Sequence, residues 1–295
     1  MSEQEDLFIK KRTIRIGGSI SGVIATGSWE NLRPHFTWEE TIEDFTGTDE
    51  QVMNRIKSLH EKAMVMMKDA EIQATVERIR RERKDLRILI SPYTKKPLPS
   101  VTSIINYDTD FFCSPEELAQ YASQGNIIDA RVKHYIKIGK WSQASEIKEV
   151  WTDIVILTKG DMKLETDVGD FPAMLEKYPI DKMKVGERFF NDDLGYCGEP
   201  DFSGIPEKSD DWEKIGGKPI QTIFDVKRTP SKLKNGMQLA AYCKNYGIVQ
   251  GIIIPLSDKT KQGYSKPVVY DKEKLDGYFS VFQNKQKEFK KRYNI

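Results

Sequence analysis

The run Ile220-Gln221-Thr222-Ile223-Phe224-Asp225-Val226-Lys227 constrains the fold more than any other stretch of the chain. Its β-branched and aromatic residues make it a strand. In a strand, residues two apart point to the same face, so Asp225 and Lys227 share one. Taking an acid and an amine out of water at the end of an otherwise apolar strand is costly unless something compensates them. The fold must therefore supply that compensation. A salt bridge at the strand end is one way; a divalent cation on clustered carboxylates, with the ammonium aimed at the same cavity, is another. Taken alone, Asp-x-Lys is short enough that the salt bridge is the simpler reading.

The neighbouring residues change the balance. Gly198-Glu199-Pro200-Asp201 ends in an acid within a second strand-like segment, Gly195–Gly204. Helix-prone residues follow Asp225, and Gln238 and Tyr242 lie four apart, on one helical face. Strand-Asp, strand-Asp-x-Lys, helix-Gln-x-x-x-Tyr, in that order, resembles the PD-(D/E)xK nuclease core, and more narrowly its RecB-type exonuclease branch. The resemblance covers Pro99–Asn245, loosely extends to Ile295, and leaves Met1–Pro97 outside. It includes a Pro99-Ser100-Val101-Thr102 opening and the stretch Gly125–Asp129, where Asp129 stands in place of the histidine of a helical Gly-x-x-x-His. Aspartate suits a hard cation better than histidine does.

The resemblance implies a restriction-endonuclease-like α/β fold, a mixed β-sheet flanked by helices. It implies Mg²⁺ or Mn²⁺ held by Asp201, Asp225, the Val226 carbonyl and, as a third carboxylate, Asp129. Lys227 would position or deprotonate the attacking water and offset phosphate charge. Gln238 and Tyr242 would orient it, and Arg228, Lys232 and Lys234 would line the path of the strand. The implied activity is metal-dependent hydrolysis of DNA, from ends, in recombination, repair or phage and mobile-element metabolism. A structure-specific endonuclease or an RNase on the same core, or a non-catalytic descendant binding DNA or a partner, are the alternatives. An iron–sulfur variant would need four clustered cysteines. This chain has three scattered ones, Cys113, Cys197 and Cys243, which suit a reducing compartment.

With 295 residues, 38% hydrophobic and 31% charged, a soluble chain of one large or two modest domains is expected. A net charge of +1 means that any nucleic-acid site is a local basic patch rather than a basic coat. No run approaches a membrane span, and the acidic start Met1–Asp6 is unlike a signal peptide, so a cytoplasmic protein with no membrane partner is expected.

The proline-rich stretch Ser91–Pro99 places a boundary near Pro97, between a small α+β N-terminal domain (1–97) and the nuclease-like domain (98–295). In the first, Thr13–Thr26 reads as a small hairpin with a glycine turn, its apolar residues alternating around Gly17-Gly18 and Gly22, Trp29–Phe36 as an irregular packed loop, and Glu50–Arg83 as a long helix capped by Thr48 or Asp49. A recombination or replication protein is its expected partner. His35 and His60 lack partners at metal-ligand spacing. In the second domain, Ser114-Pro115-Glu116-Glu117 forms a capping box. Helices are expected over Leu118–Gly125, over Ile127–Ile136 (with His134 turned away from Asp129), over Trp141–Leu157 and over Phe171–Tyr178. Strands are expected over Gly186–Phe190 (with Glu187 either aimed at the site or a surface carboxylate), Tyr196–Gly204, Ile248–Ile254 and Lys266–Tyr270. Ser203–Lys218 reads as a polar loop and Asp271–Tyr293 as an amphipathic helix with a lysine-rich outer face.

Overall fold

The computed structural model describes residues 12–21, 24–25, 31–32, 35–45, 47–109, 114–159, 169–257 and 260–295. Its contacts divide the chain into two units: Met1–Leu86 with Tyr93–Pro97, and Arg87–Pro92 with Leu98–Ile295. Arg87–Pro92 therefore falls with the second unit, although it lies before the boundary expected near Pro97.

In the first unit a long strand, β1 (Arg12–Ser21), pairs antiparallel with β4 (His35–Phe45), running from Ser21 opposite His35 to Arg12 opposite Phe45. The glycine turn expected within Thr13–Thr26 does not fall at Gly17-Gly18, since both glycines lie mid-strand, opposite Glu39 and Trp38, and Gly22 lies outside the described residues. The loop expected at Trp29–Phe36 is corrected in its described part, because Asn31–Leu32 (β3) pairs with Ile24–Ala25 (β2) and His35 opens β4. Helix α1 (Asp49–Glu82) starts on a reciprocal cap, in which the Gln51 amide donates to Thr48 Oγ1 and the Thr48 amide to Gln51 Oε1. Within this unit β4 meets α1 through the Trp38–His60 ring pair, 5.7 Å apart, and a two-pronged Arg55–Glu40 pair at 2.7 Å.

The second unit begins with β5 (Ile88–Ile90), which forms a two-stranded ribbon with β6 (Pro97–Pro99). Three helices follow, α2 (Val101–Asn106), α3 (Pro115–Ile138) and α4 (Trp151–Thr158), and then α5 (Phe171–Lys177). The expected capping box opens α3: Glu117 N donates to Ser114 Oγ, and Ser114 N donates to Glu117 Oε2. The helix runs unbroken through Gly125. The helix expected from Trp141 begins only at Trp151, after two 3₁₀ turns at Ala144–Glu146 and Lys148–Val150. A strand that sequence pattern did not announce, β7 (Ile180–Val185), comes next. Then follow the ribbon of β8 (Phe189–Asn191) and β9 (Tyr196–Gly198), strand β10 (Phe202–Pro206) and a short helix α6 (Asp210–Glu213). The polar loop expected over Ser203–Lys218 is thus corrected at both ends. β10 continues to Pro206, and Trp212 is buried with its Nε1 donating to the Pro179 carbonyl at 2.8 Å. The chain closes with β11 (Thr222–Lys227), α7 (Lys232–Tyr246), β12 (Gly251–Pro255), β13 (Val268–Tyr270) and α8 (Lys272–Tyr293).

Five of these strands make one mixed sheet in the order β13-β12-β11-β10-β7, with β11 and β12 parallel and every other pair antiparallel. A parallel pair needs a crossover, and α7 provides it. Alternation sorts the side chains. Phe224, Val226, Ile252 and Ile254 join the apolar core formed with Ile128 and Val132 of α3, Ile154, and Phe171 and Met174 of α5. The alternate residues, Asp225 among them, face α7, whose Leu239, Ala240 and Tyr242 are buried. α8 buries Leu275, Phe279, Phe282 and Phe289. The fold is α/β, with helices on a mixed sheet. No helix among the described residues is long and apolar enough to cross a membrane.

Candidate active site

Two phenylalanines set the register that builds the site. Phe202 on β10 lies directly opposite Phe224 on β11, and the rings stack with centroids 4.7 Å apart and planes 5° apart. One further step of the same antiparallel register sets Asp201 against Asp225. Asp201 Oδ2 accepts from the Val226 amide at 2.6 Å. A strand residue points its N–H and C=O to one edge, so the Val226 carbonyl also turns toward Asp201.

Asp225 is 0% exposed. Lys227 Nζ sits 2.6 Å from its Oδ2, the contact that same-face spacing requires. From the next helical turns Gln238 Nε2 reaches Asp225 Oδ1 at 3.4 Å and Tyr242 Oη at 3.1 Å. Two glycines make room for this. A Cβ on Gly198 would come within 2.7 Å of the Tyr242 ring and 3.0 Å of Phe189. A Cβ on Gly186, whose amide donates to the Asp201 carbonyl at 3.0 Å, would land on the Pro200 carbonyl oxygen.

Asp129 arrives from α3. Its Oδ2 pairs with Lys133 Nζ at 2.9 Å one turn along, and Lys133 reaches across to Glu199 Oε1 at 3.0 Å. Arg188 takes the other oxygen of Glu199 at 3.1 Å. All these groups surround a cavity of about 420 Å³. Every expected site residue reaches its wall except Asp225, Lys232 and Lys234. Asp225 lies behind Lys227 and Gln238. Lys234 turns away, donating to Asn106 Oδ1 and Thr109 Oγ1 on and just beyond α2, and Lys232 is exposed at the first residue of α7. Arg228 lines the cavity and donates to Gln124 Oε1. His134 is not on the wall, and of the two readings of Glu187 the surface one holds, the residue being exposed and paired with Lys184. Cys197 and Cys243 are buried free thiols, while Cys113 lies outside the described residues.

Sequence reasoning missed four charged wall residues: Arg87, Lys133, Arg188 and Glu199. Lys133 carried a signal, its four-residue spacing from Asp129, and Glu199 lay inside the quoted Gly198–Asp201 motif. Nothing local marked the two arginines.

The crowding of like charges shows in the protonation balance. Burial pushes the Asp225 carboxyl up to about 7; the negative charges of Asp201 and Asp129 add to this against the opposing Lys227 ammonium. Burial and then Asp201 push Asp129 up to about 7 as well. Solvent in the cavity still reaches 36% of the Asp129 side chain, which screens part of that effect. Burial works against the Lys227 ammonium, but Asp225 first, with Asp201 and Asp129, holds it above its ordinary value. Lys133 is likewise raised on balance by Asp129 and Glu199 despite burial. Glu199, despite burial, is held low by Lys133 and Arg188. Burial, and then the charge of Asp225, raise the Tyr242 phenol, so it is a neutral hydroxyl at neutral pH.

One buried carboxylate oxygen, Asp129 Oδ1, accepts no hydrogen bond. The buried Asp225 Oδ2 is already met by the Lys227 ammonium. A buried carboxylate oxygen without a donor calls for a proton or a cation. The donor set around the cavity, carboxylates and a backbone carbonyl, is hard oxygen of the kind Mg²⁺ and Mn²⁺ take. Among the described residues no group of three or more His, Cys, Asp or Glu side chains is already gathered as a metal cage. A cation there would need Lys227 to yield Asp225 Oδ2.

No family model matches the chain, and no curated protein does. Among solved structures, the one described as "Crystal structure of SSO0001" matches at 12% identity over 59% of this chain and 87% of that one, with a TM-score of 0.19. A likeness at that score carries no argument about fold or activity.

Proposed function

We propose that this chain is a metal-dependent nuclease of the PD-(D/E)xK type that hydrolyses DNA phosphodiester bonds, acting from ends. One observation carries the reading. Asp129 from α3, Asp201 ahead of β10 and Lys227 at the end of β11 meet at one cavity, with Asp225 directly behind, and Asp129 Oδ1 is buried without a donor. A plain salt bridge would account for Asp225 and Lys227 alone. It leaves Asp129 Oδ1 unexplained. The mixed sheet with α3 and α7 against it supports the restriction-endonuclease-like reading of the fold.

Asp129, Asp201, Asp225 and the Val226 carbonyl are the groups that would hold Mg²⁺ or Mn²⁺. Bound there, the ion would make a coordinated water more acidic and offset phosphate charge. Lys227, on the cavity wall and on the same strand face as Asp225, would position the attacking water and offset phosphate charge. Gln238 holds Asp225 Oδ1 and Tyr242 Oη on one amide and would thereby orient the Asp225 carboxylate. Arg228 supplies positive charge at the wall for the strand backbone, a local patch on a nearly neutral molecule.

The test is hydrolysis of end-labelled linear and covalently closed DNA with Mg²⁺ or Mn²⁺, beside Lys227→Ala and Asp225→Ala. Degradation of linear DNA alone, reduced by ~10²-fold or more in each variant, is expected. Equal rates in variants and parent, or no cleavage of any nucleic acid by the parent, would overturn the reading. Cleavage of closed DNA or of RNA instead would move it to an endonuclease or RNase on the same residues.

A further inference from the structure

Lys133 bridges two acids on different elements, Asp129 of α3 and Glu199 of the β9–β10 connection, at 2.9 and 3.0 Å. Its side chain is 19% exposed, so both contacts are made largely out of bulk water. The far side of Glu199 is fixed by Arg188 at 3.1 Å. The geometry assigns Asp129 two unequal oxygens: Oδ2 is occupied by Lys133, and Oδ1 is buried and empty-handed.

We propose that Lys133 is a positioning residue, tied to Glu199, that takes Asp129 Oδ2 so that Oδ1 alone is presented to a divalent cation. The proposal rests on the metal-dependent reading above and extends it to a group that touches neither cation nor substrate. The physical reason is rotational. A helix carboxylate free at both oxygens swings about its Cβ–Cγ bond and binds a cation in several geometries. One oxygen held by an ammonium that is itself held from across the cavity leaves a single aimed donor. Groups behind a ligand commonly set metal affinity in this way, and losing one weakens it by ~10- to 100-fold.

The experiment is calorimetric titration of the full chain with Mn²⁺, for the parent, Lys133→Met and Lys133→Arg, with thermal melts to confirm folding. Hydrolysis of linear DNA is followed in parallel over a range of Mn²⁺ concentrations. Lys133→Met is expected to bind Mn²⁺ ~10-fold or more weakly. It should lose hydrolysis at limiting Mn²⁺ and regain most of it at saturation, with KM for DNA unchanged. Lys133→Arg, which can still fork between two carboxylates, should recover most of the affinity. Parent-like Mn²⁺ binding by a folded Lys133→Met overturns the proposal. So does a rise in KM for DNA with Mn²⁺ affinity intact, which would make Lys133 a substrate contact. A parent that binds Mn²⁺ but cleaves no nucleic acid removes the nuclease reading, and Lys133 then stands or falls on the titration. A parent that binds no Mn²⁺ removes both.

Discussion

At the scale of single residues, the site is defined by carboxylates whose charge the fold does not welcome. The pKa of Asp129 is raised on folding, so its stabilising contribution is present below the unfolded value near 4 and is lost as pH climbs through about 7. Asp129→Asn should therefore stabilise the metal-free protein at pH 8 by ~1 kcal/mol, after allowing for screening at the cavity mouth, and change little at pH 4. Melts in chelator across that range would show the gap open between pH 4 and 7; a gap independent of pH would refute it. Tyr242→Phe takes away the oxygen on which the Gln238 amide rests. It should cost about 1 kcal/mol in a denaturant titration, with a larger fall in hydrolysis than in stability.

Among elements, the approach of the Pro200–Asp201 segment to β7's end decides whether Asp201 can face Asp225. Gly186 permits that approach, since any side chain there would strike the Pro200 backbone. Gly186→Ala should lower stability by about 1–3 kcal/mol and shift the segment. The measurements are a denaturant midpoint and the Asp201-dependent hydrolysis rate; unchanged values in both would show that the segment relaxes freely. Gly198 plays the matching part for Tyr242. The Gly and Asp of Gly-x-x-Asp thus have separate physical tasks here, one making room for a helix side chain and the other presenting a carboxylate.

For the molecule as a whole, the second unit contains the five-stranded sheet, the apolar core under it and every residue of the cavity. A chain consisting of Arg87–Ile295 should fold on its own, melting cooperatively, and hydrolyse linear DNA if the full chain does. A non-cooperative melt would show that the first unit is needed to complete this one.

Much of this was legible in sequence where the signal is local. The Thr48 and Ser114 caps, the amphipathic α8 and the apolar β12 each follow from residues within a few positions of one another. So does the contact between Asp225 and Lys227, because a period of two leaves no other arrangement. Gly17-Gly18 misled because glycine favours turns, whereas here Trp38 and Glu39 on the partner strand occupy the space opposite. β7 went unread because a short edge strand with exposed lysines has little apolar alternation. Lys234, grouped with Arg228 by charge and proximity, turns to Asn106 and Thr109, partners more than a hundred residues away.

By itself the sequence determined that an acid and an amine share a face of a buried strand, and that Gln238 and Tyr242 share a helical face beyond it. Chain periodicity fixes such relations before any tertiary contact forms. Only the tertiary structure decided that Asp129 comes within reach of Asp201 and Asp225, that Lys133 and Glu199 join them across the cavity, and that Lys232 and Lys234 do not. Those outcomes depend on the β10–β11 register set by Phe202 and Phe224 and on the packing of α3 against the sheet. Both bring together residues far apart in the chain, and no local pattern encodes that distance.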